Sequence, residues 1–276
     1  MTFFLLCLVP LLGLGFTIAP LSTASPVDLG VSATEQIVKR GDHPLWRPQP
    51  QYIDIKADKF EDDWLLAGAA ALANTDYRKI QDLFSNVTDP KSNVDEVTVK
   101  IWNNGEWQKW NKGKEGNGPP SKEHKVVYTD ITADYSGANQ NWWIAALENA
   151  FIQEGGYNGI TPNGFAKGDP HIALEMMTGS SAKLYNVNEM SRDTYEKDLW
   201  EALGKAQQQP ICIKTNDKTD AIALEKKRWY AVLQVQGESH ARQVYIWDFK
   251  TGLKVAIEYE LLADDIGYYV HQEGPN

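Results

Sequence analysis

The chain has 276 residues, 42% hydrophobic and 11% aromatic, enough to bury one large core or two tightly packed lobes. Against 27 Lys and Arg stand 37 Asp and Glu, a net charge of −10. That balance argues against nonspecific nucleic-acid binding, which needs clustered cations on phosphates. The loose group Lys112, Lys114, Lys122 and Lys125 reads as a solvated loop.

The run FFLLCLVPLLGLGF, Phe3 to Phe16, is apolar and uncharged, and small residues Ser22 and Ala24 follow it. It reads as a secretory signal peptide over residues 1–24. A membrane anchor is the competing reading, but the run is short of the roughly 20 residues a span needs. Residues 25–40 read as a propeptide ending at Lys39-Arg40, a dibasic pair resembling fungal Kex2-type processing sites, and residues 41–276 as the mature domain. A chance pair in a loose arm is the alternative.

HPLWRPQPQY, from His43, is expected to be an extended arm. FEDDWLLAGAAALA, Phe60 to Ala73, reads as a buried helix whose mouth carries Glu61, Asp62 and Asp63. Asp is tolerated there, because it can cap free N–H groups and suits the helix dipole. Tyr77, Ile80, Leu83 and Phe84 predict a second short helix. Val97, Val99 and Ile101 alternate with polar residues and lead through Asn104-Gly105 to Trp107, the pattern of a hairpin. KVVYTDI, from Lys125, reads as another strand.

A helix over Asn139 to Gly155 aligns Trp143, Ala146, Leu147, Ala150 and Phe151 in one stripe. DPHIALEMMTG is a shorter helix with Asp169 capping and Pro170 first. Ser191 is the expected N-cap of a third, which packs Tyr195, Leu199 and Leu203. PICIKTN, KRWYAVLQVQ and RQVYIWDFKTG read as strands, with GESHA turning between the last two. The order of elements predicts an α+β fold with a cleft between a helical lobe, about 52–180, and an antiparallel β lobe, about 181–276.

Only Cys7 and Cys212 are present, so loss of the leader leaves no disulfide. Cys212 reads as a small buried hydrophobe rather than a nucleophile. The five His are scattered and no zinc spacing occurs. Asn86-Val87-Thr88 is an acceptor sequon for N-glycosylation.

Six segments in order resemble calpain-type cysteine proteases of the papain-like superfamily. They are EDDWLLAGAAALA, NNGEWQKW, NWWIAALENAF with GGYNG, ALEMMTG, RWYAVLQV and VYIWDFKTG. The resemblance implies that Asp63 stands where the family has its nucleophilic Cys and Ala57 where it has the oxyanion Gln. It likewise puts Glu61 at the Gly before Asp-Cys, Lys227-Arg228 at Gly-His, and Asp248 at the Asn. Asp62 and Trp64 are kept and, with Trp229 and Tyr230, are expected to line the cleft. A second register would place His240 of ESHARQ at the family's His.

These changes make a secreted pseudoprotease, acting through a protein or peptide partner of a host or cell surface, the leading expectation. Arg228 is expected to bridge Asp63 and Asp248 across the cleft. Two alternatives are an active member of the family or a hydrolase built on the carboxylates of Asp63 and Asp248, and a carbohydrate binder using Trp102, Trp107 and Trp110. No cofactor is expected. Calcium is open because calpain-type cores bind it, but no run of acidic ligands calls for it.

Overall fold

In the computed structural model the described residues are 43–57, 61–102, 121–131, 141–154, 168–218, 224–238 and 241–272. All belong to one unit running from Gly41 to Asn276. Helix α1, Asp63–Gln81, is rich in Ala and Leu, strong helix formers, and buries every residue from Trp64 to Ala73. Small side chains let other chains approach it closely: a Cβ on Gly68 would stand 3.0 Å from that of Ala173. The expected second helix is the end of the same element. The backbone leaves helical geometry at Asp76 (φ −151, ψ 84), whose Oδ1 accepts from the Arg78 N–H at 3.2 Å and restarts the coil.

Strands β1 (Phe84–Ser85), β2 (Glu96–Trp102) and β3 (Ser121–Val127) form an antiparallel sheet in that order. Val97, Val99 and Ile101 all point inward, as the alternation predicts. The Asn104-Gly105 turn and Trp107 lie outside the described residues. The third strand starts earlier than expected, and residues 128–130 form a 3-10 turn. There the Tyr128 ring stacks on His43 at 4.4 Å and meets Trp142 edge-on at 5.3 Å.

Helix α2, Trp143–Gln153, buries its whole predicted stripe. Helix α3, Pro170–Thr178, starts on Pro and stops at Gly179. That glycine takes φ +69 under the Trp102 ring, which a Cβ would approach to 2.7 Å.

The second sheet has strands β4 (Ala182–Asn186), β5 (Ile211–Thr215), β6 (Trp229–Gln236), β7 (Gln243–Asp248), β8 (Leu253–Glu258) and β9 (Ile266–Gln272). Their order is β4-β9-β5-β6-β7-β8, with every neighbouring pair antiparallel. Helices α4 (Arg192–Leu203) and α5 (Tyr259–Asp265) share one core with Ile211, Ile213, Val232, Val244 and Ile246. Cys212, Trp229, Ala231, Leu233, Trp247 and Val270 join the core of α1 and the other helices. Burial on both faces explains why β5 and β6 read as near-continuous apolar runs. Ser191 stands at the N-cap of α4, where its hydroxyl meets that of Thr194 at 2.7 Å rather than a backbone N–H.

The architecture is therefore α+β, with helices and antiparallel sheets around a core that continues across both lobes. Polar contacts close the seam. Asn74 donates to the Leu233 carbonyl at 2.8 Å, and the Trp247 indole donates to the Ile55 carbonyl at 2.8 Å. No described helix is long and apolar enough to cross a membrane.

Candidate active-site cleft

Asp63 opens α1, and its carboxylate faces the start of β6 in the opposite lobe. Its Oδ2 accepts the backbone N–H of Trp229 at 2.6 Å. Burial pushes the Asp63 carboxyl above its ordinary value, against the opposing pull of that N–H and of the Arg228 and Lys214 charges. On the other side the arm is pinned to the turn after β7, with the Ala57 N–H donating to the Phe249 carbonyl at 3.0 Å. Between arm, helix and sheet lies a cavity of about 230 Å³. Ala57, Asp62, Asp63, Arg228, Trp229, Tyr230 and Asp248 line it, with Leu66, Glu225, Phe249 and Lys250.

The expected bridge by Arg228 does not form. Arg228 Nε lies 3.3 Å from Glu225 Oε2, three residues away in the chain, and pairs with neither Asp63 nor Asp248. Lys250 binds the same Glu225, and that bond leads the causes holding its carboxyl below the ordinary range. Asp248 ends β7, where the chain reverses. Its Oδ1 takes the Lys250 N–H at 3.0 Å and its Oδ2 the Thr251 hydroxyl at 2.5 Å. Local turn bonding of this kind is cheap in entropy and outcompetes a reach across the cleft.

Trp64 is also placed differently from the expectation. It is fully buried, edge-on to Phe151 at 6.2 Å, and does not line the cavity. The helix turns its first aromatic into the core and its first carboxylate toward the cleft.

Cys212 is buried in β5 opposite Ala231 and Val270, and burial drives its thiol far above the ordinary range. Asn86 is exposed at φ +63, with its amide donating to the Thr98 hydroxyl at 2.8 Å. Lys122 pairs with Glu154 and Lys125 with Glu96, so these two lysines are engaged, while Lys112 and Lys114 lie outside the described residues. So does His240. Among the described residues no group of three His, Cys, Asp or Glu could hold a metal. Glu225, Lys250, Leu66 and Phe249 were not legible as lining residues, since nothing in their local pattern marks the turn that brings them together.

A model of the calpain family cysteine protease domain matches residues 34–247. The chain belongs to the calpain family. No curated protein matches it. The four positions that the calpain resemblance assigns to catalysis, Ala57, Asp63, Arg228 and Asp248, surround a single cavity. Asp248 lies one residue beyond the match, so its place rests on the geometry alone. Lys227 takes φ +59 where the calpain pattern has Gly. Left-handed backbone is what glycine adopts most readily, which favours the register through Arg228.

The raised Asp63 carboxyl gives a testable linkage. The folded chain holds that proton more tightly than the unfolded chain. The Asp63 contribution to stability therefore rises as pH falls through the folded value, and levels off below the ordinary carboxylate range. Asp63→Asn, which keeps an acceptor for the Trp229 N–H, is expected to remove this contribution and to match or exceed the parent at neutral pH. Asp63→Ala strands that N–H and is expected to cost about 1 kcal/mol. Thermal unfolding of the three proteins from pH 3 to 8 reads both effects.

Proposed function

We propose that this calpain-family domain is a secreted pseudoprotease that holds a peptide or protein segment in its cleft without cleaving it. One observation carries the reading: the helix mouth that faces the cavity presents Asp63, and among the described residues no thiol is placed to replace it. Cys7 lies in the apolar leader and Cys212 is sealed inside the sheet. Peptide cleavage of the family type needs a thiolate activated by a helix end and an imidazole. A carboxylate is a far poorer nucleophile toward amides. Arg228 carries a guanidinium, which offers donors only and cannot act as a base. Ala57 brings no side-chain donor to an oxyanion. The apolar walls Leu66, Trp229, Tyr230 and Phe249 are what a bound segment would need. The apolar run before residue 17 and the small residues after it support export, and a host or cell-surface protein is the partner that export would bring within reach.

The purified domain is expected to leave casein and peptide libraries intact with or without calcium. Cleavage that disappears on Asp63→Ala would overturn the reading. Asp63→Cys is expected to be alkylated readily by iodoacetamide, because the helix end lowers a thiol's pKa, yet to show no turnover while Arg228 and Ala57 remain. Turnover by that single variant would show that the rest of the machinery is intact. A hydrolase using Asp63 and Asp248 is less well supported, since both oxygens of Asp248 are committed to its own turn. Carbohydrate binding is less well supported: Trp102 is half-buried, its ring packed against Gly179 with Lys100 Nζ 4.2 Å from the ring centre, and Trp46, Trp64, Trp142, Trp143, Trp229 and Trp247 are buried. Trp107 and Trp110 lie outside the described residues.

A further inference from the structure

We infer that the cleft selects a peptide carrying a basic side chain, whose ammonium or guanidinium group is held by the carboxylate of Asp63. The inference rests on the peptide-binding reading and adds the chemistry of the ligand. The described lining carries four carboxylates, Asp62, Asp63, Glu225 and Asp248, against two cations, Arg228 and Lys250. Both cations are spent on Glu225. Asp248 has both oxygens occupied, and Asp62 is fully buried. Asp63 is different. Its Oδ2 takes the Trp229 N–H, the Trp64 N–H is the other backbone donor to the carboxylate, and no side chain among the described residues hydrogen-bonds it.

A half-buried carboxylate held by backbone N–H groups alone has no counter-ion in contact with it among the described residues. Burial, which raises its carboxyl above the ordinary value against the pull of Arg228 and Lys214, makes the bare charge costly. An incoming cation supplies the missing partner as a charge-assisted bond. The walls suit the rest of such a side chain, because Leu66 and Phe249 offer apolar surface to the aliphatic stem of Lys or Arg. A second donor also lacks its counterpart. Trp229 lines the cavity at 1% exposure, and its indole N–H has no acceptor among the described residues. A peptide carbonyl is an acceptor of the right kind.

The test is calorimetric titration of the full domain with pentapeptides blocked at both ends and identical except for a central Lys, norleucine or Glu. The Lys peptide is expected to bind about tenfold or more tighter than norleucine, the worth of one charged hydrogen bond, and Glu weakest. Asp63→Asn, with its unfolding temperature checked, is expected to bring the Lys and norleucine affinities together. Equal binding of Lys and norleucine to the parent overturns the charge selection and leaves the peptide-binding reading standing. Absence of binding by every peptide overturns both. A norleucine peptide with a free amino terminus that outbinds the blocked Lys peptide overturns the side-chain assignment.

Discussion

Asp54→Ala is expected to destabilise the domain by about 3–5 kcal/mol, the usual result of removing one partner from a buried charged network. Asp54 is only 1% exposed. Its Oδ1 accepts from Asn141 Nδ2 at 2.8 Å, and its Oδ2 from Trp143 Nε1 at 2.9 Å and the Gln51 N–H at 3.0 Å. Alanine would leave these donors unpaired, and each buried orphan costs on the order of 1–3 kcal/mol before relaxation. In a domain of this size that corresponds to a fall of about 10 °C in Tm. Asp54→Asn is expected to recover only part of the loss, because its amide presents N–H groups to donors. The arm that holds Ala57 against Phe249 is tethered to α2 through this carboxylate, so the variant should also loosen one wall of the cleft. A Tm unchanged by either substitution would mean that the three donors are satisfied without Asp54.

The second large effect concerns Trp64 and Gly168. Trp64 is fully buried at the first turn of α1, and a Cβ on Gly168 would come within 2.2 Å of its ring. Trp64→Ala is expected to cost about 3–5 kcal/mol by opening a cavity. Gly168→Ala should cost about 1–3 kcal/mol by forcing ring or backbone aside. The double variant decides the matter, because the alanine methyl then enters space that the ring has vacated. Its loss is expected to fall short of the sum of the single losses by at least 0.5 kcal/mol or so. Strict additivity in urea unfolding would mean that the ring and the glycine do not meet. Because Asp63 precedes Trp64 directly, the single tryptophan variant should weaken peptide binding as well as stability.

Much of the fold was readable from local pattern. Strand β2 shows its buried face in Val97, Val99 and Ile101, and α2 in Trp143, Ala146, Leu147, Ala150 and Phe151, because periods of two and 3.6 sort side chains by face. The insertion of β9 between β4 and β5 had no such signal. Pairing partners of Ile266–Gln272 come from residues more than fifty positions earlier, and hydrophobic alternation does not name its partner. Helix α5 was missed because seven residues between two strands give too little length for a helical period to emerge.

The cleft divides in the same way. Residue identity alone settles that Asp63 is a carboxylate, that Arg228 cannot act as a base and that the chain has two cysteines, and these facts carry most of the functional reading. Tertiary structure decided which charges meet. Glu225 takes Arg228 and Lys250, Asp248 turns back on its own hairpin, and Asp63 reaches across to the Trp229 N–H. Sequence lists the charged groups, but an ion pair falls off over a few ångströms and competes with every nearby backbone donor. Partner choice therefore depends on where the turn after β7 and the mouth of α1 come to rest, which local pattern does not encode.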